Sequence, residues 1–184
     1  MKKYEFTGET KKVEMLFRIV TLHRIRATVS FGLVEVGELG GWIEKEENLS
    51  HDGKAWVCGD AEVWGNAKVW GNAKVWGNAK VCGDAKVWGN AKVWGNAKVF
   101  SASHVLVIGA IGSRNDFTTF YRDKDNEITV KCGCFLGKID KFLQKVTETH
   151  GDSKYALVYR AAVEVAKLQI DLSGEAPKEE DGAE

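Results

Sequence analysis

Four groups of residues in this 184-residue chain carry side chains that could do chemistry. The histidines are His23, His51, His104 and His150. A general base must reach the proton it removes, and only His51 and His104 fall on the repeated centre of the chain. His104 is expected on an outward column of that repeat, where the plain reading is a solvated surface residue. Cys132 and Cys134 are two apart in an expected strand, which would turn both thiols to one face. Two ligands are too few for a structural zinc site without partners, so no metal and no cofactor are expected. A polar stretch after the repeat, Arg114, Asn115 and Asp116 following Ser113, is joined by Tyr121, Arg122 and Lys131. The planar arginine fork recognises phosphate in a bidentate manner. Together with His104, these are the candidate residues for a small anionic, nucleotide-like ligand. The competing reading is a solvated cap with internal salt bridges. Finally, Trp64, Trp70, Trp76, Trp88 and Trp94 alternate with lysines and form a candidate stacking or oligomer surface.

The element that must position these groups is a hexapeptide. Five copies of V-W-G-N-A-K begin at Val63, Val69, Val75, Val87 and Val93, with V-C-G-D-A-K at Val81 and V-C-G-D-A-E at Val57. The pattern degrades through Val99, Val105 and Ile111. In a helix, six residues would advance by roughly 600°, scattering the valines over three sides. In a strand, an even period keeps every copy in the same sense. Valine and alanine then face inward, tryptophan and lysine face outward, and Gly-Asn makes the bend because both tolerate positive φ. The natural solution is a prism with one short strand per side, stable only through stacking of its coils.

The V-x-G-N-A-x pattern resembles the hexapeptide-repeat family over roughly Leu49 to Asp116. That resemblance implies a left-handed parallel β-helix with three hexapeptides per coil, commonly a homotrimer, in a family whose enzymes transfer acyl groups with a histidine base between subunits. Eighteen residues per coil would stack Cys58, Trp76 and Trp94 in one column, Trp64, Cys82 and Phe100 in a second, and Trp70, Trp88 and Leu106 in a third. So much exposed aromatic surface should be covered, and a closed homotrimer is the expected cover. The runs L-H-R-I-R-A at Leu22, G-G-W-I-E at Gly40 and N-L-S-H at Asn48 resemble the N-terminal region of YdcK-like bacterial and phage proteins.

The ends should cap the raw core. Residues 1–48 read as an N-terminal β cap, with β-formers that include Phe17, Ile19, Val20, Ile25 and Val29. Residues 49–116 read as the β-helix. Residues 117–172 read as a C-terminal α+β cap: strands over Asp116 to Arg122 and Ile128 to Phe135 joined by a polar turn, then two helices. Gly151 is expected to stop the first helix and Asp152 to cap the second. Residues 173–184 read as an acidic, disordered tail.

Composition narrows the function. Lysine plus arginine equals aspartate plus glutamate at 26 each, so no basic footprint for nucleic acid exists over the whole chain. Between Val57 and His104 six lysines face Asp60, Glu62 and Asp84, only a modest local excess. No stretch is apolar enough to span a membrane. Residues 1–10 lack the apolar core of a signal peptide, so a cytoplasmic location is expected. Cys58 and Cys82 replace tryptophan in the repeat and are expected to remain reduced. Near-identical coils without an inserted loop offer no differentiated catalytic pocket. The expected function is therefore binding without turnover: capture of a small anionic ligand or a host defence component by a phage-type protein. A protein-partner scaffold and a hexapeptide-family acyltransferase are the alternatives.

Overall fold

The computed structural model describes residues 1–15 and 18–173. Phe17 and the expected disordered tail beyond Ser173 lie outside the described residues. Three strands open the chain: β1 (Tyr4–Met15), β2 (Arg18–Ala27) and β3 (Leu39–Ile43). β1 and β2 form an antiparallel hairpin, β2 continues antiparallel onto β3, and β3 runs parallel to the first coil. The glycine pair ahead of Trp42 makes this junction possible. A Cβ on Gly41 would come within 2.6 Å of the Ala61 carbonyl, and one on Gly40 within 2.8 Å of Trp56 and of the Val57 carbonyl.

The repeat forms a three-sided parallel solenoid of two-residue strands. They are β4 (Trp56–Val57), β5 (Glu62–Val63), β6 (Lys68–Val69), β7 (Lys74–Val75), β8 (Lys80–Val81), β9 (Lys86–Val87), β10 (Lys92–Val93) and β11 (Lys98–Val99). One side is β3-β5-β8-β11, the second β4-β7-β10 and the third β6-β9. Register is fixed at eighteen residues per coil, with Val57 beside Val75 and Val93, Val63 beside Val81 and Val99, and Val69 beside Val87. Each coil donates to the next: Lys68 N–H to the Ala85 carbonyl at 3.0 Å, and Trp70 N–H to Val87 at 3.1 Å. The repeat valines and alanines are all buried in one continuous core. That is the inward sense expected from the even period.

A tyrosine plugs each end of this core. Tyr4 from β1 enters one end and donates its hydroxyl to the Leu49 carbonyl at 2.8 Å. Tyr121 enters the other and donates to the Trp94 carbonyl at 3.0 Å. Each ring fills core volume while its hydroxyl satisfies a carbonyl at its own end of the solenoid, as a buried tyrosine requires.

The C-terminal cap is a four-stranded antiparallel sheet, β12 (Val105–Ile111), β13 (Asp116–Arg122), β14 (Ile128–Cys132) and β15 (Phe135–Lys138), followed by α1 (Ile139–His150) and α2 (Lys154–Gln169). The expected hairpin and helix pair are present. The expected coils at Val105 and Ile111 are instead β12, in which Leu106 lies opposite Phe120 rather than above Trp88. Without the Gly-Asn bend after its valine, the chain runs straight through Leu106 to Ile108 and leaves the solenoid. Gly151 stops α1 at φ 55°, as expected, but the cap of α2 is Ser153, not Asp152.

The second correction concerns Trp64. It is not part of an open tryptophan surface, because the β1–β2 hairpin folds over the outside of the first side. Val13, Val20 and Leu22 pack on Trp64 and Cys82, leaving the tryptophan 2% exposed. Lys11 reinforces the cover, bonding Glu62 at 2.6 Å and lying over the Trp42 ring at 4.7 Å. The aromatic column expected to need a partner subunit is thus covered by the chain itself. The other two ladders remain on the outside. Trp70 and Trp88 stack at 6.1 Å, and Trp76 and Trp94 meet at 4.8 Å.

Candidate functional site

A cavity of about 440 Å³ lies in the C-terminal cap between the sheet and the two helices. Aromatic rings form its apolar floor, with Phe135 against Phe142 at 5.2 Å and Phe142 against Tyr159 at 5.6 Å. Antiparallel pairing of α1 and α2 about Gly151 brings His150 onto Tyr159, stacked at 5.8 Å. Three basic side chains line the same space: Arg114, Lys145 and His150. Lys145 has a carboxylate neighbour, Glu148, at 3.3 Å.

Local structure explains the placement. Gly112, at φ 71°, turns the chain from β12 into the Ser113–Asn115 turn, and a Cβ there would overlap the Tyr159 phenol. The turn presents Arg114 towards Gly133, which turns β14 into β15 at φ 54°. Cys132 ends β14 and receives the Thr118 hydroxyl at 3.3 Å. Burial, reinforced by the neighbouring Cys132, pushes the Tyr159 phenol up to about 12, so it stays a neutral donor at physiological pH.

Of the expected ligand residues, only Arg114 lines this cavity. Asn115, at φ 49°, is exposed in the same turn, and Asp116 lies 4.0 Å from Lys92. Lys131 is buried next door, donating to the Gly133 carbonyl at 2.5 Å with its ammonium over the Trp94 ring. Burial, then the nearby Lys92, lowers its pKa.

Tyr121, Arg122 and His104 sit elsewhere. Tyr121 is the core plug. His104 is a correction, because it is neither outward nor solvated. It closes a 3-10 turn at Ala102–His104 and is 5% exposed, with Nδ1 accepting the Phe100 N–H at 3.1 Å and Nε2 facing Arg122 at 3.3 Å. Arg122 is buried beside it and grips Asn126 Oδ1. They face each other at the solenoid–cap junction, outside the cavity of the cap.

The thiols correct another expectation. Gly133 and Cys134 form a turn, so Cys134 leaves the strand that holds Cys132, and no disulfide joins the two. Among the described residues no cluster of His, Cys, Asp or Glu could hold a metal, and no helix is long and apolar enough to cross a membrane. Lys145, His150 and Tyr159 were invisible as site residues in the sequence. Their common signal was the glycine stop at Gly151, which folds the end of α1 back on α2.

Compared with known proteins, the chain matches no family model and no curated protein.

Proposed function

We propose that this protein binds a small anionic ligand without turning it over, and that the ligand occupies the cavity of the C-terminal cap. The carrying observation is the meeting of Arg114, Lys145 and His150 around an aromatic floor. The cavity volume falls in the range of small-molecule sites, which are mostly apolar with a few placed polar groups. An arginine fork suits phosphate, and the Tyr159–His150 stack suits a planar ring. A nucleotide-like ligand has both parts. Calorimetry against cyclic and linear nucleotides tests this. Heat from at least one, abolished by Arg114→Glu, is expected, and a silent panel sinks the reading.

The finer parts of this proposal rest on resemblance. The hexapeptide pattern and the G-G-W-I-E run suggest a phage-type, cytoplasmic protein that sequesters a host signal, and a homotrimer burying the two open tryptophan ladders. Native mass spectrometry of freshly purified protein would report subunit number and any retained ligand together. Acyl transfer finds little support, because His104 already has Nδ1 engaged by backbone and His51 Nδ1 accepts the Lys3 N–H at 3.2 Å.

A further inference from the structure

The three sides of the solenoid end differently. In the last coil an outward amide on each of two sides finds an acceptor: Lys92 N–H of β10 donates to Thr119 Oγ1 of the cap at 3.0 Å, and Phe100 N–H, just after β11, to His104 Nδ1 of the 3-10 turn. On β9 nothing equivalent happens. One coil earlier, Lys68 and Trp70 amides donate to Ala85 and Val87, whereas the Lys86 and Trp88 amides have no acceptor among the described residues. A strand edge with unpaired donors is a template for another strand.

A cleft of about 350 Å³ lies against this edge, walled by Lys86, Trp88 and Ala91 on the solenoid side and Val105, Val107 and Phe117 on the cap side. β12, which supplies the far wall, is itself the edge strand of the cap sheet. Charge selects the occupant of this edge. Lys68 and Lys86 stack on the third side; Lys68 shares a surface pocket with Glu46 and Glu47, whereas Lys86, at the open end, has no carboxylate within 4.0 Å among the described residues. On the first side the same kind of column contains Glu62, 4.0 Å from Lys80. Trp88, 58% exposed, offers an apolar face beside Lys86.

We infer that the β9 edge takes up an extended acidic peptide segment of another protein by strand addition, with an apolar side chain entering the cleft and a carboxylate meeting Lys86. Backbone pairing supplies the affinity in such complexes and the side-chain pocket the selectivity. The chain's own residues 174–184 are acidic but contain no β-branched or aromatic residue and include Pro177, which lacks an amide. The surface is separate from the cap cavity, so it stands whether or not that cavity binds an anion.

The probe is the capped, fluorescein-labelled hexapeptide Asn-Ala-Glu-Val-Trp-Gly, which continues the repeat with glutamate facing Lys86. Binding is followed by anisotropy, and hydrogen exchange of the Lys86 and Trp88 amides is read by NMR with unlabelled peptide. Saturable binding is expected, with these two amides slowed by about tenfold or more. Lys86→Glu should weaken it at least severalfold, and Lys86→Pro, which removes a donor that the fold does not use, should abolish it. Peptide binding that leaves both amides unprotected overturns the proposal, as does no binding at millimolar peptide. So does protection already present in the free chain: if it vanishes on removing residues 174–184 the tail is the occupant, and if it rises with protein concentration a second copy is.

Discussion

His104 Nε2 stands 3.3 Å from Arg122 Nη1, in a buried junction where Nδ1 of the same ring already accepts the Phe100 N–H. The ring must therefore be neutral, because an acceptor nitrogen carries no proton. Burial, then Arg122, lowers its pKa below the ordinary value of about 6.5, with Asp171 acting in the opposite direction. The unfolded chain binds this proton more readily than the folded one. Stability from this site is thus fully present above the unfolded value and is lost as pH falls from there through the folded value. Urea midpoints measured between pH 7.5 and pH 5 should fall in the wild type and fall less in His104→Gln. Identical pH profiles would contradict the assignment.

Trp64 and Trp88 occupy the same place in the repeat but not the same environment. Trp64 is under the hairpin, and Trp88 is open. Trp64→Ala should cost about 3–5 kcal/mol, the usual price of emptying a buried aromatic site. Trp88→Ala loses only a partial stack on Trp70 and should cost under about 1 kcal/mol. Denaturant melts of the two variants check this. Equal losses would mean that the hairpin does not cover the first side in solution.

Why one tryptophan was misjudged shows what the repeat can and cannot express. Periodicity determines inward and outward, so Val63, Ala67 and their copies were legible at once, whereas the eighteen-residue stacking followed only from the resemblance to the hexapeptide-repeat family. The hairpin over Trp64 depends on Val13, Val20 and Leu22, whose pattern identifies strands but not which face they cover. Val105 keeps the six-residue spacing and so predicts a further coil, but the glycine that bends the chain is lost after it and β12 runs straight. The cap cavity was least legible. Arg114 stood out by type, but His150 and Tyr159 belong to it only through the packing of α1 on α2.

Gly77 and Gly95 separate two costs of placing a side chain in the bend. Both have positive φ, 77° and 67°. A Cβ on Gly77 would lie 3.0 Å from the Gly95 amide of the next coil, whereas one on Gly95 meets nothing within 4 Å. Gly95→Ala should cost about 1–2 kcal/mol for the backbone conformation alone. Gly77→Ala should cost more, because coils must also part. Chemical denaturation of the two variants gives the comparison, and an equal or reversed order would disprove coil contact at the bends.

Asp123 ties the cap sheet to itself and to the last coil. Its carboxylate accepts the Asp125 N–H at 3.0 Å, the Glu127 N–H at 3.2 Å, the Thr129 hydroxyl at 2.5 Å and the Lys138 ammonium. The residue also bridges to Ala97. Burial alone would raise its pKa, but the bonds from Lys138, Thr129 and the two amides outweigh it and hold the carboxyl below its ordinary range. The unfolded carboxyl protonates first, so this contribution is present above the unfolded pKa and disappears as pH falls through the folded one. Asp123→Ala should cost roughly 1–3 kcal/mol, since it strands several donors at once. The loss should be local: cap amides in β13 and β14 should exchange faster while Val75 and Val81 in the coils stay protected. Hydrogen exchange by mass spectrometry resolves the two regions. Uniform acceleration across cap and coils would show instead that Asp123 holds the whole molecule as one cooperative unit.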